Sequence, residues 1–381
     1  MKYITTFLIM YVFLSCQRKY TEIENNEALY AIDTVKIDSK GHLLDLNRFI
    51  LISDLDDEEK SLFLYNAFDH SIDEINLDRL DFANKYFFEK EGPNGTGESF
   101  YSLNHLKGGF FFIKSYNKSA IFDKNGVLVK RVDWVNSIDS IGSIYGQQPE
   151  NEILISSSDL KVFGLDFDDK NRKIHFDILS IVDNSIKRLD LDSEKSYGCF
   201  VLEGEDSQGH FFVKPHVYLS SENNLAIISH DFSNELILYD SVGEFVKKIN
   251  YESRFTPSSA KSINGKTITS REHAGKEFQY FLEQVRFYPP VWDNVKKRYL
   301  RLSKITVFSD DRINGSFLPE VLKTSVFLSV FDSDFTLIYE LAIPGLNYNF
   351  GKYFSKDGKF WIYQNFSDDL GFVIIEIKDL N

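Results

Sequence analysis

The chain has 381 residues, of which 43% are hydrophobic and 15% aromatic, including 35 Phe and 20 Tyr. That is enough apolar material for one large all-β domain or for two to three smaller ones, and the aromatic enrichment leans toward strands. The formal net charge of -14 disfavours phosphate backbones as partners, so nucleic-acid binding is excluded as an expectation.

The first element is "MKYITTFLIMYVFLSC", in which Lys2 precedes an uncharged apolar run from Ile4 to Leu14. The run is too short to span a bilayer, which takes roughly 20 residues, but it suits the apolar core of a signal peptide. Leu14-Ser15-Cys16 resembles the lipobox of bacterial lipoproteins, with Phe13 and Leu14 departing from its commonest form. That resemblance implies residues 1–15 as a signal peptide, removed before Cys16, and Cys16 as the acylated N-terminus. Several acyl chains suffice for stable anchoring in a lipid bilayer. Residues 16–28 read as a polar tether. Gln17, Arg18 and Lys19 are not acidic, which points to the periplasmic side of the envelope rather than the cell surface. Only Cys199 remains besides Cys16, so there is no intrachain disulfide framework. In "YGCFVL" it reads as a buried thiol on a strand.

Five segments then align without gaps: "LYNAFDHSIDEINL", "IFDKNGVLVKRVDW", "LSIVDNSIKRLDL", "LYDSVGEFVKKINY" and "VFDSDFTLIYELAI". Each reads as strand, tight polar turn, strand, with Asn125-Gly126 and Val242-Gly243 supplying residues that tolerate positive φ. Their anchors are Asn66, Asp123, Ser180, Asp240 and Asp332, spaced by 57, 57, 60 and 92 residues. An apolar strand precedes each hairpin, as in "KGGFFFIKS" and "ENNLAIIS". The last of these, "DGKFWIYQ", is followed by a single strand, "GFVIIEI". Its missing outer partner is available at the other terminus, in "LYAIDTVKI" from Leu29 to Ile37. Strands from both ends would close a ring and leave no open edge. The expected fold is therefore an all-β six-bladed β-propeller over residues 29–381, closed by N- and C-terminal strands.

The long gap before the fifth hairpin holds an insertion at about 257–290. In it, Thr269 and Glu272 form a capping-box pattern, and Ala274, Phe278, Phe281, Leu282 and Val285 recur at helical spacing. This predicts one amphipathic helix from Ser270 to about Phe287, stopped by Pro289-Pro290 and laid against the propeller. It is a candidate cover for one mouth of the central channel.

The most motif-like segment, "EKEGPNGTGES" (Glu89–Ser99), is not a phosphate loop. A phosphate loop needs a Lys after its last glycine and a helix behind it, whereas Glu98 follows here. It reads as a crossing between blades, and no nucleotide is expected. "GPNGTGESF" resembles the crossing of NHL-like propellers, and "FSKDGKFWI" the strand signature of TolB-like propellers. With the lipobox and the "YPPVWDNVKKRYLR" segment, the mature chain resembles the six-bladed propeller lipoproteins of Bacteroidota, a domain of unknown function. The resemblance implies a fold and a cell-envelope address, but no reaction.

The eight His are scattered and no HExxH, paired-Cys or G-x-S-x-G pattern occurs, so no cofactor and no metal site is expected. "DFDDKN" (Asp166–Asn171) and "DLDDEE" (Asp54–Glu59) read as charged hairpin turns. Arg286, Tyr288, Tyr299 and Arg301 flank the Pro-Pro step and are the candidate ligand-binding residues, with the arginines suited to an anion. The functional expectation is a membrane-anchored binding or scaffolding module for an envelope protein or glycan. The rival is a propeller enzyme, a lyase or glycoside hydrolase, with carboxylates gathered at the channel mouth.

Overall fold

The computed structural model describes residues 29–46, 48–155, 160–192, 196–206, 209–263, 268, 270–310, 316–344, 346 and 351–378. Cys16, the signal segment, the tether and Thr269 lie outside them. Among the described residues there are six four-stranded antiparallel sheets and one two-stranded sheet. The chain enters through β1 (Tyr30–Lys36) and then builds sheet 1 from β2 (Ser53–Leu55), β3 (Ser61–Asn66), β4 (Ser71–Asn76) and β5 (Asp81–Phe87). Sheet 2 holds β6 (Phe100–Leu106), β7 (Phe110–Ser115), β8 (Ser119–Asp123) and β9 (Leu128–Val132). Sheet 3 follows with β10 (Asn151–Leu154), β11 (Lys161–Asp168), β12 (Lys173–Ser180) and β13 (Ser185–Asp190). A separate hairpin, β14 (Leu202–Asp206) and β15 (Gly209–Val213), precedes sheet 4, which is β16 (Val217–Glu222), β17 (Leu225–His230), β18 (Leu236–Asp240) and β19 (Phe245–Ile249). After helix α1 (Arg271–Leu282) come β20 (Arg286–Asp293), β21 (Arg298–Phe308), β22 (Val321–Phe331) and β23 (Leu337–Ala342) of sheet 5. Finally β24 (Tyr353–Lys356), β25 (Lys359–Phe366) and β26 (Asp369–Ile377) form sheet 6, whose fourth strand is β1, paired with β26 from Tyr30↔Ile377 to Lys36↔Gly371.

The Asp anchors have a local cause. The Asp123 carboxylate accepts from the backbone N–H of Asn125 and Val127, that of Asp240 from Val242 and Glu244, and that of Asp332 from Asp334 and Thr336. The residue three after each Asp is left-handed: Gly126 (φ 75°), Gly243 (φ 88°) and Phe335 (φ 59°). Each turn thus carries a one-residue bulge, which the strand registers show. Asn66 is not equivalent to these anchors. It ends the second strand of sheet 1, whereas Asp123, Ser180 and Asp240 end third strands and Asp332 directly follows one. The first spacing of 57, from Asn66 to Asp123, therefore joins unlike positions, whereas the second, from Asp123 to Ser180, joins like ones, and the true repeat is less regular than the sequence suggests.

Side-chain clusters fill the space between successive sheets. Phe63 and Tyr65 of sheet 1 pack with Phe111 and Phe122 of sheet 2, and Leu300 and Leu328 of sheet 5 with Phe360 and Ile375 of sheet 6. Phe354, Trp361 and Phe372 of sheet 6 pack with Leu62, Leu64 and Ile75 of sheet 1. The helix ends earlier than its apolar spacing predicts. Its N-cap is Ser270, whose hydroxyl accepts from His273 N, and Glu283 is the C-cap. Arg286 and Phe287 already belong to β20. Pro289 and Pro290 lie at a register shift within that strand and so break a ladder rather than a helix. Cys199 sits in the 3₁₀ turn Tyr197–Phe200, not on a strand. No described helix is long and apolar enough to cross a membrane.

One buried knot joins sheets 2 and 3. Glu152, 1% exposed, accepts from Lys114 Nζ at 2.6 Å, Trp134 Nε1 at 2.8 Å and Gln148 Nε2 at 2.9 Å. Removing one member of a buried ion pair strands the other charge in a poorly solvating interior. Glu152→Gln is therefore expected to destabilise the protein by about 3–5 kcal/mol in chemical denaturation. The double variant Glu152→Gln/Lys114→Met should recover most of that loss; an equally unstable double variant would refute the stranded-charge account.

Candidate functional site

In each of sheets 1–6 the first strand is the inner one, and β2, β6, β10, β16, β20 and β24 lie against one another in sequence. Side chains on these strands reach across to the backbone of the next. Asp54 on β2 accepts from His105 N at 2.9 Å, and Asn104 on β6 from Leu154 N at 3.4 Å. Glu222 at the end of β16 accepts from Trp292 N at 2.9 Å, and Tyr353 OH donates to Pro289 O at 2.5 Å. Lys352 Nζ donates to Ser53 O at 2.6 Å, which links the start of β24 to β2.

Asp54, Glu222 and Lys352 form one electrostatic group, although they are far apart in the sequence. All three are half-buried. Burial raises the Asp54 carboxyl against the opposing pull of Lys352. Burial pushes Glu222 up to about 8, with the Trp292 N–H and Lys352 pulling the other way and Asp54 adding to the rise. Burial lowers Lys352 while the two carboxylates raise it. Glu59 is pushed up to about 7 by desolvation, then by Asp293 and Asp357. A carboxyl whose value is pushed up to about 8, as that of Glu222 is, can donate as well as accept a hydrogen bond near neutral pH, and can serve as a general acid.

Beside this group stands a set of aromatic and basic residues. Tyr288 has its ring 6.5 Å from both Tyr218 and Tyr353. Arg286 is buried, with Nη2 donating to Asp231 Oδ2 and the guanidinium 3.9 Å from the ring of Phe281 on α1. The same Asp231 oxygen accepts from His216 N at 2.9 Å. Arg301, 1% exposed, donates through Nε to Tyr288 O at 2.8 Å and through Nη1 to Asn234 O at 2.5 Å. Lys304 faces Arg286 directly across the β20–β21 ladder. Burial and then the Arg286 charge lower its pKa.

Of the residues singled out in the sequence, Arg286, Tyr288 and Arg301 are thus brought together. Arg301 donates to backbone carbonyls, so its role here is to hold β20 and β21 to the turn after β17. Tyr299 is set apart: its ring stacks on Phe335 at 3.9 Å in the cluster between sheets 4 and 5. Asp54, Glu222, Lys352, Tyr218 and Lys304 were not selected by sequence reasoning. Asp54 belongs to a run read as a charged hairpin tip. Glu222 had one available signal, since Tyr218, Ser220 and Glu222 alternate on β16 and must share a face. No three or more His, Cys, Asp or Glu side chains among the described residues are grouped to hold a metal ion. The Gly loop does form a crossing, between β5 and β6. Thr96 N donates to Glu89 O and Gly97 N to Lys90 O, with Gly97 at φ 101°.

The architecture is that of a β-propeller: sequential four-stranded antiparallel sheets with their first strands side by side. Comparison with solved structures agrees at the level of fold. A DUF4221 family member from Bacteroides vulgatus superposes with a TM-score of 0.60 at 13% identity, over 92% of this chain and 99% of that one. A putative exported protein from Bacteroides fragilis superposes with a TM-score of 0.50 at 10% identity, over 93% and 96%. No curated protein sequence matches the chain. The profile of the domain of unknown function DUF4221 matches residues 26–341, most of the sequence, and the chain therefore belongs to the DUF4221 family.

Proposed function

We propose that this protein is a lipid-anchored, six-bladed β-propeller, closed by its N- and C-terminal strands, that binds an envelope glycan or protein through its central channel. The observation that carries the binding reading is the meeting of Asp54, Glu222 and Lys352 with Tyr218, Tyr288 and Tyr353 on the inner strands. Tyrosine rings offer flat apolar faces with a polar tip, and protonated carboxyls can both donate to and accept from hydroxyls. A saccharide presents that combination of apolar ring faces and hydroxyls, so the glycan is favoured over a protein partner. Six blades and closure are supported by six four-stranded sheets, by β1 completing sheet 6, and by the core cluster shared between sheets 6 and 1.

The anchor reading rests on Leu14-Ser15-Cys16 after an apolar run. In the producing bacterium, Cys16→Ala is expected to abolish incorporation of labelled palmitate and to release the protein from membranes. Unchanged labelling of the variant would remove the lipoprotein part of this proposal.

A second reading, a lyase or glycoside hydrolase, is favoured by one feature, the Glu222 carboxyl, which burial pushes up to about 8. A carboxyl protonated at neutral pH is poised as a general acid. The same shift has a stability consequence with a definite sign. The folded value of Glu222, about 8, lies above its ordinary 4.5. Its contribution is then present below the ordinary value and is lost as pH rises toward about 8. Glu222→Gln, which keeps an acceptor for Trp292 N, should flatten the fall in Tm over that window and raise Tm near its upper end. An unaltered pH slope would assign the titration elsewhere and withdraw the acid from Glu222. Mass analysis of saccharides after incubation separates the two readings, since only an enzyme shortens them and only through an intact Glu222.

A further inference from the structure

The turn after β17 and the segment that leaves β19 enclose an open cleft of about 490 Å³. Ser233 and Asn234 line it from the turn, and Asn250, Glu252, Ser258 and Ser259 from the segment. Its size falls within the roughly 300–1,000 Å³ of ligand sites, but its lining is polar where such sites are mostly apolar. The two pieces of chain are tied to each other. Asn234 N donates to Ser258 O at 2.8 Å, Asn234 Nδ2 donates to Tyr251 O, and the backbones of Ser233 and Ser259 form an antiparallel bridge. Asn234 is 1% exposed, and its carbonyl accepts from Arg301 Nη1 at 2.5 Å. The frame of the cleft is therefore fixed before any ligand arrives. The side chains on it are unused: those of Asn250, Glu252, Ser258 and Ser259 are exposed and make no hydrogen bond or ion pair with any described residue. No Lys, Arg or His lines the cleft, and Glu252 is its one formal charge.

We infer that this cleft is a saccharide subsite separate from the channel, taking a neutral, hydroxyl-rich sugar unit; the ligand class rests on the glycan reading above, whereas the place does not. A sugar hydroxyl is at once donor and acceptor, and the serine hydroxyls and the Asn250 amide are complementary in both senses. Glu252 adds an acceptor whose bonds to hydroxyls are charge-assisted and stronger than neutral ones. An anion would be repelled by Glu252 with no lining cation to offset it. An apolar ligand would desolvate the polar wall without pairing it. Because the frame is already held, the ordering cost of binding falls mainly on the ligand. Arg301 joins the two sites, with Nη1 on Asn234 O at the cleft and Nε on Tyr288 O beside the channel.

The test is calorimetric titration of the full chain, in detergent, with neutral gluco-, manno- and galacto-configured oligosaccharides and uronate-bearing counterparts of matched length. At least one neutral member should bind, and its uronate counterpart should bind more weakly. Glu252→Ala should weaken the neutral ligand by about tenfold or more, the effect of losing a hydrogen bond to a charged group. Ser259→Phe, which fills the cleft, should weaken it further, and Glu252→Gln should narrow the difference between neutral and uronate ligands. All of these side chains are exposed, so the melting temperatures of the variants should match the wild type. No binding of any neutral member, a uronate bound as tightly as its neutral counterpart, or unchanged binding in both Glu252→Ala and Ser259→Phe overturns the inference. Glu222→Gln separates the two sites. If it weakens binding while the cleft variants do not, the channel site stands and the cleft falls. If the cleft variants weaken binding while Glu222→Gln does not, the cleft stands and the channel site falls.

Discussion

The inner strand of each sheet is an edge strand, and this constraint shapes the centre of the molecule. One side of β2, β6, β10, β16, β20 or β24 joins its own sheet, while the other side faces a neighbouring sheet with which it shares no ladder. Backbone groups on that side still need partners in a space where water is scarce. Side chains supply them: Asp54 for His105 N, Asn104 for Leu154 N, Glu222 for Trp292 N, Lys352 for Ser53 O and Tyr353 for Pro289 O. Polar and ionisable groups are thereby drawn into the channel because the fold needs them there. Once there, they lose solvation, and their proton affinities move in the direction burial dictates. Asp54, Glu222 and Lys352 thus both join the sheets and have proton affinities moved by burial.

The insertions between sheets act on this centre from one end. In a four-stranded antiparallel sheet the fourth strand finishes where the first began, so every connection to the next sheet lies at the end where the inner strands start. The β14–β15 hairpin and α1 are both such connections. They pack together with Phe200, Phe232 and Ile263 in a core that includes Phe281. Phe281 in turn covers Arg286, the first residue of β20. Through Phe281 the helix therefore covers the Arg286 guanidinium as well as supplying an apolar face to the core.

Much of the architecture was legible because turns and strand alternation are local. Asp123, Asp240 and Asp332 mark their hairpins through bonds to their own next few residues, and nothing distant is required. The partnership of the two termini was legible for a different reason: a lone last strand needs a mate. What misled was also local. "LYNAFDHSIDEINL" has the same strand–turn–strand form one strand earlier in its sheet, so Asn66 took the place of a third-strand anchor. The helix was overextended because Val285 continues the helical spacing, although a strand begins at Arg286. The centre was largely illegible. Asp54 sits in an acidic run indistinguishable from a solvated tip, and Lys304 acquires its meaning only from facing Arg286 across a ladder. Both depend on register, which composition does not encode. Arg301 shows the opposite case: an arginine chosen for its charge, whose donors are directed at carbonyls.

The direction of β1 bears on how the proposed anchor and the proposed site would share the molecule. β1 is the fourth strand of sheet 6 and runs antiparallel to β26, hence opposite to the inner strand β24. Tyr30 therefore lies at the end of the sheets where inner strands finish, and the helix and hairpin lie at the other end. On the lipoprotein reading, the tether leaves from the first of these faces. The end carrying α1, Arg286 and the starts of the inner strands is then the one turned away from the bilayer. A ligand approaching from the aqueous side would meet Arg286 and Lys304 before it met Glu222.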